Sequence, residues 1–317
     1  MSVMPERRLI LIGAALLLAS VAFLTLGAKG SWSFVLPLRG TRLAALALVG
    51  SAIGVATVLF QTASGNRILT PSIMGFDSLY LLIQSTLVFS LGGVGYAMID
   101  GRLKFVAESL GMMAAAAVLF AALIGRGRRD LHRMLLVGVI FGVLFRSLSS
   151  LALRLIDPNA FVVVQSASFA RFTSVKGELL AIGAALSAVA FGLAWAWRRE
   201  LDVAALGREA AITLGVDYER LIRRTLLLVA LLVSVSTALV GPVAFLGLLV
   251  ASLAYVAAGA PRHALTLPAA ALIGALTLVA GQTIFERVLG LAGTLGVVVE
   301  FVGGLLFLFL LLRRRAA

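Results

Sequence analysis

Long apolar stretches alternate with short polar ones over most of the chain, and the apolar stretches are of membrane length. A helix needs about 20 apolar residues to cross a bilayer. On that measure the pattern predicts ten spans, at 9–27, 43–60, 72–92, 105–125, 134–154, 178–197, 225–240, 242–258, 265–284 and 295–312. The seventh and eighth meet at Gly241-Pro242, where proline ends or kinks a helix. Counting them separately keeps each near membrane length. The first apolar run follows Arg7-Arg8 and is too long for the core of a signal peptide, so it reads as a first transmembrane helix. One polar interruption stands out, residues 198–224, reading RRELDVAALGREAAITLGVDYERLIRR. Within it Leu201, Ala205, Leu206 and Ala210, and then Leu214, Tyr218 and Leu221, recur at helical spacing, and Gly207 and Gly215 punctuate them. This predicts two short amphipathic helices joined at a glycine.

Composition agrees with a bilayer as solvent. Of the 317 residues 61% are hydrophobic and 13% charged, against about 45–50% and about 25% in soluble domains. The 32 glycines suit helices that approach closely in a membrane. The net charge of +13 lies in short clusters between spans, which points to topology and anionic lipid headgroups rather than to nucleic acid. With the N-terminus cytoplasmic, 17 of the 27 Lys and Arg residues fall on the inner side and nine on the outer, with Arg146 inside a span. The positive-inside rule therefore places both termini and residues 198–224 in the cytoplasm. No linker or soluble domain interrupts the chain, so residues 1–317 read as one all-α, polytopic membrane domain.

Several chemistries are excluded. There is no cysteine, no phosphate-binding Gly-x-x-x-x-Gly-Lys-Ser/Thr loop, no His-Glu-x-x-His and no serine nucleophile elbow. The chain reads as a transport protein without a catalytic site or cofactor. His132 and His263 fall in separate Arg-bearing inner loops and are expected to be solvated. Gln61, Arg146 and Glu300 lie in or beside spans, where polar groups are costly and often functional; Arg146 and Glu300 could pair across the bundle, or Arg146 could line a path for an anion. Asp77, Glu178 and Glu300 are the acids that an ion-driven secondary transporter would need. Residues 198–224 could lie on anionic lipid or sit in a cleft of a neighbouring protein.

The Glu209-Ala-Ala-x-x-x-Gly215 pattern resembles the cytoplasmic coupling motif of ABC-importer permeases. More specifically, Leu206-Gly-Arg-Glu-Ala-Ala-Ile-Thr-Leu-Gly-Val-Asp-Tyr-Glu-Arg-Leu221 is similar to the coupling segment of the iron-siderophore, haem and cobalamin permease family, and Gly241-Pro-Val-Ala-Phe-Leu-Gly-Leu248 to that family's Gly-Pro-x-Gly-Phe-x-Gly-Leu. Arg39-x-x-Arg42, Gly50, Gln61, Asn66 and Pro71 extend the likeness. The stretch from Asn66 to Tyr80 resembles a siderophore-importing subgroup. Two stretches depart from the pattern, Val250 to Tyr255 and Gly293-Thr294-Leu295.

The resemblance implies a type II ABC-importer permease fold in a bacterial inner membrane and a ferric siderophore as substrate, with haem or cobalamin as alternatives. It implies a second permease subunit, two ATPase subunits and a substrate-binding protein as partners. It assigns ATPase coupling to Leu206, Gly207, Glu209, Ala210 and Gly215. Arg39 and Arg42 share a helix face, and the resemblance implies that they, with Arg287, dock acidic residues of the binding protein. Gln61, Asn66, Arg146 and Glu300 remain as translocation-path or intramembrane polar groups.

Overall fold

The computed structural model describes residues 5–28, 31–124, 131–260, 262–290, 296, 298–301 and 303–305. Among the described residues every regular element is helical: α1 (Pro5–Thr25), α2 (Trp32–Ser64), α3 (Phe76–Met98), α4 (Gly101–Ile124), α5 (Leu131–Leu155), α6 (Pro158–Ala167), α7 (Gly177–Ala196), α8 (Arg198–Ala204), α9 (Arg208–Thr213), α10 (Tyr218–Val240), α11 (Leu246–Ala258) and α12 (His263–Thr283). A one-turn 3-10 helix, Ser72–Met74, precedes α3, and a π-turn, Ile284–Val288, extends α12. Seven of these helices are long and apolar enough to cross a membrane, and α11 is a shorter apolar helix. The tenth predicted span is described only at helical residues 296, 298–301 and 303–305; the departure at Gly293-Thr294-Leu295 lies outside the described residues.

The centre of the bundle is α2, packed against α10, α11 and α12. Here backbones approach too closely for any side chain. A Cβ on Gly50 would stand 2.2 Å from the carbonyl oxygen of Gly274, and one on Gly274 would stand 2.0 Å from that of Gly50. Large side chains elsewhere face outward, among them Leu17 and Leu18 of α1 at 69% and 73% exposure. In water that would be an aggregation surface; against lipid it costs little, because lipid tails are as apolar as these side chains.

Two predicted boundaries hold for physical reasons. The third span was expected to end at residue 92, and Gly92 interrupts α3 with φ 70° and ψ 168°, a conformation open essentially to glycine alone. Gly241-Pro242 does separate one helix from the next: α10 stops at Val240 and α11 begins only at Leu246. The start of the second span differs. Helix α2 starts at Trp32 rather than 43, and its 33 residues run about 50 Å, well beyond the hydrocarbon core. The overhang carries Arg39 and Arg42. Helix α6 is also additional. It starts at an Asp157 cap whose carboxylate accepts from the Asn159 backbone N–H at 2.8 Å, with Pro158 in its first turn. Asp100, between α3 and α4, accepts from the backbone N–H groups of Arg102 at 2.9 Å and Leu103 at 3.3 Å, and these donors hold its carboxyl below the usual range.

Candidate functional site

The polar interruption folds as two short helices and a turn at one end of the bundle. Helix α8 is pinned by Leu201 and Ala204, both buried, and α9 by Ala211, which is fully buried. Between them Gly207 takes φ +101°, and after α9 Gly215 takes φ +83°. A Cβ on either glycine would meet nothing within 4 Å, so glycine is needed there for the backbone angle and not for space. The two breaks fall inside both of the helices predicted from periodicity, so the second set of positions is divided: Leu214 ends α9, whereas Tyr218 and Leu221 open α10. Asp217 caps α10 by accepting from the Arg220 N–H at 3.1 Å, and Arg208 reaches back to Glu219 at 3.4 Å.

What this geometry presents is an exposed knob. Leu206, Ile212 and Leu214 are 67%, 48% and 62% exposed, and Glu209 is exposed beside them, with Ala210 half-buried. Ile212 was not singled out in the sequence, although its place three residues after Glu209 was the available signal.

At the opposite end two of the three arginines converge on an acid that the sequence pattern does not single out. Arg42 donates to Glu286 at 2.8 Å, and Arg287 stands 3.8 Å from the same carboxylate. Gln282 also donates to Glu286. Arg39 is buried and faces inward: its guanidinium donates to the carbonyls of Phe23, Leu24, Leu26 and Gly27 at 2.9–3.2 Å. It thereby caps the C-terminus of α1, where the last carbonyls have no partner in the helix. A shared face for Arg39 and Arg42 does not result in a shared outlook.

The intramembrane polar residues separate into two places. Gln61 is buried and its amide donates to the Arg67 carbonyl at 2.6 Å; the Asn66 side chain accepts from the Ile68 N–H at 3.0 Å. Together they shape the corner after α2, where the Arg67 guanidinium lies 4.6 Å from the centre of the Tyr255 ring. Arg146 is exposed on α5 and makes no ion pair with half-buried Glu300, so the possible pairing is not formed. Glu178 lies at the surface, in an ion pair with Arg102 at 2.5 Å.

The expectation of a solvated histidine is corrected for His263, whereas the backbone of His132 falls within α5, which begins at Leu131. His263 is 4% exposed. Its backbone N–H and its Nδ1 lie 2.6 and 2.7 Å from Asp202 Oδ1, and its Nε2 lies 2.8 Å from Thr62 Oγ1. The helix α12 begins two residues earlier than predicted and carries this ring into the bundle. A further buried cluster also escaped the sequence reading: Gln84 donates to Glu108 at 2.6 Å, Lys104 stands 3.8 Å from Glu108, and the Lys104 ammonium lies 3.8 Å from the centre of the Tyr96 ring.

Residues 8–313 match the model of the FecCD transport family. The chain is 41% identical over 284 residues to the petrobactin import system permease protein YclO of Bacillus subtilis, covering 90% of each chain. It is 33% identical over 286 residues to the petrobactin import system permease protein FatC of Bacillus anthracis, covering 90% of this chain and 81% of that one. Its fold superposes with a TM-score of 0.84 on a solved metal-chelate type ABC transporter in an inward-facing conformation, at 20% identity, covering 97% of this chain and 99% of that chain.

Proposed function

We propose, because this chain belongs to the FecCD transport family, that it is the membrane-spanning permease of a binding-protein-dependent ABC importer that carries a ferric siderophore into a bacterial cell. Two relatives named for petrobactin import support a siderophore as cargo, ahead of haem or cobalamin. The permease works as a pair, with itself or with a related subunit. Two ATPase subunits bind the end that carries α8 and α9, and a substrate-binding protein docks on the end that carries Arg42 and Arg287. The excess of arginine at the α8–α9 end supports a cytoplasmic location for that end and for both termini.

The observation that carries the coupling role is the exposed knob formed by Leu206, Glu209, Ile212 and Leu214, shaped by two glycines at positive φ, Gly207 and Gly215, and rooted in the bundle by Leu201 and Ala211. Closure of an ATPase dimer displaces its clefts; a rigid knob seated in such a cleft passes the displacement to the helices as rigid-body motion. The chain performs no covalent step itself. It redirects energy released in another subunit. Of the three acids that an ion-driven transporter would need, Glu178 is taken up at the surface by its ion pair with Arg102; Asp77 and Glu300 are half-buried, and dependence of uptake on the ATPase decides against that alternative.

The test is ATPase co-purification together with siderophore uptake in Glu209→Arg and Gly215→Leu variants. Both measures are expected to fall to background. Wild-type values in both variants would remove the coupling assignment.

A further inference from the structure

Helices α8, α12 and α2 are separated by tens to hundreds of residues, yet Asp202, His263 and Thr62 join them in one chain of hydrogen bonds. Asp202 lies in α8, immediately before the knob. Its carboxylate is an acceptor only, so His263 Nδ1 carries the proton it receives at 2.7 Å, and the His263 backbone N–H donates to the same oxygen at 2.6 Å. In the neutral ring Nε2 is an acceptor 2.8 Å from Thr62 Oγ1, whose one proton it shares with the Val58 carbonyl at 3.0 Å. Thr62 adjoins Gln61, whose amide donates to the Arg67 carbonyl at 2.6 Å. The line thus runs from the segment that meets the ATPase to the polar corner formed by residues 61–67.

Toward α2 and α12 the other buried side chains of α8 are apolar, Leu201 and Ala204, while Arg198 at its start donates to the Trp195 carbonyl of α7 at 2.7 Å. Apolar contact is non-directional and permits slip, whereas a buried hydrogen bond fixes distance and angle and is costly to leave unmade. We infer that His263 is a positioning residue that transmits displacement of the α8–α9 segment to the end of α2, and that the Asp202–His263–Thr62 chain converts ATPase movement into opening of the path. This rests on the coupling role proposed above. Without the chain, α8 moves with the ATPase while the end of α2 stays behind. Hydrolysis then continues and transport does not.

The experiment uses the assembled importer in proteoliposomes with its ATPase and binding protein. It measures ATPase retention, ATP hydrolysis and siderophore uptake for Thr62→Val, His263→Asn and the double variant. Thr62→Val keeps the shape of the side chain and removes its hydroxyl. His263→Asn keeps a donor toward Asp202 and loses the group that meets Thr62. In each single variant, uptake per ATP hydrolysed is expected to fall about tenfold, with ATPase retention unchanged. The double variant is expected to be no worse than either single one, because the two residues belong to one chain. Unchanged uptake per ATP in Thr62→Val would overturn the inference, and so would multiplicative losses in the double variant. Loss of ATPase retention would overturn it as well, by showing that His263 only supports the docking surface. If His263→Asn does not fold, Thr62→Val alone decides. Failure of the coupling role itself would be visible separately, as normal ATPase retention in Glu209→Arg.

Discussion

The Tyr96 hydroxyl donates to the side-chain carbonyl of Gln84, although twelve residues of the same helix separate them. In a straight α-helix those positions would lie about 18 Å apart. The contact exists because Gly92 breaks α3 and turns its last residues back. Gln84 in turn donates to Glu108 of α4, so one glycine brings a buried polar cluster into register. A Cβ at Gly92 would meet nothing within 4 Å, so Gly92→Ala introduces backbone strain alone. The expected cost is about 1–3 kcal/mol, seen as a lower thermal midpoint of the purified permease. A midpoint equal to wild type would show that α3 can turn at this point without glycine.

The crossing of α2 and α12 should be less forgiving. Gly50 and Gly274 face each other's carbonyl groups at distances no Cβ can occupy. Even Gly274→Ala must push two backbones apart, and overpacking of a tight core costs about 1–3 kcal/mol or more. The expected outcome is a sharp loss of folded protein in detergent, measured by size-exclusion profile and thermal unfolding. Gly13, which also has nothing within 4 Å of its Cβ position, should accept alanine without that loss and serves as the control.

Arg39 offers a way to separate capping from docking. Lysine keeps the charge but cannot reach four carbonyls with a planar fork. Arg39→Lys is therefore expected to loosen the corner between α1 and α2, with faster amide hydrogen exchange over residues 23–28, while affinity for the binding protein changes little. A large loss of affinity with unchanged exchange would return Arg39 to the docking surface.

How much of this was readable beforehand depends on the range of the interaction. Apolar runs and their breakers are local, so the span ending at Gly92 and the break at Gly241-Pro242 were legible. So was the knob, whose glycines and acid lie within nine residues of one another. His263 was not. Next to Arg262 it reads as a loop residue, and nothing local says that Asp202, 61 positions earlier, will meet its ring. Glu286 was missed for the same reason: its partner Arg42 lies 244 positions away. Glu108 did leave a signal, since Lys104 stands four residues before it at the start of a predicted span. An i, i+4 ion pair there makes a buried acid tolerable. Arg39 shows the opposite error, in which a correct helical face led to a wrong outlook, because the end of α1 is packed over it.

Glu286 sets how much positive charge the outer corner presents. It accepts from Arg42 at 2.8 Å and lies 3.8 Å from Arg287, with both pairs only partly exposed. Some of each arginine's field is therefore turned inward. Glu286→Gln removes the negative charge while retaining a carbonyl that can accept from Arg42. If the binding protein presents acidic residues here, association should become faster, by about two- to tenfold at low salt, since complementary charge acts mainly on the encounter rate. The gain should shrink as ionic strength rises toward physiological values, where the Debye length is about 8 Å. Arg42→Glu should do the reverse, slowing association most at low salt. The check is stopped-flow or surface-based binding of the binding protein to the reconstituted permease across a salt series. Association rates that do not respond to either substitution at any salt concentration would remove Arg42 and Arg287 from the docking surface and leave the Glu286 cluster as a clamp between α2 and the end of α12.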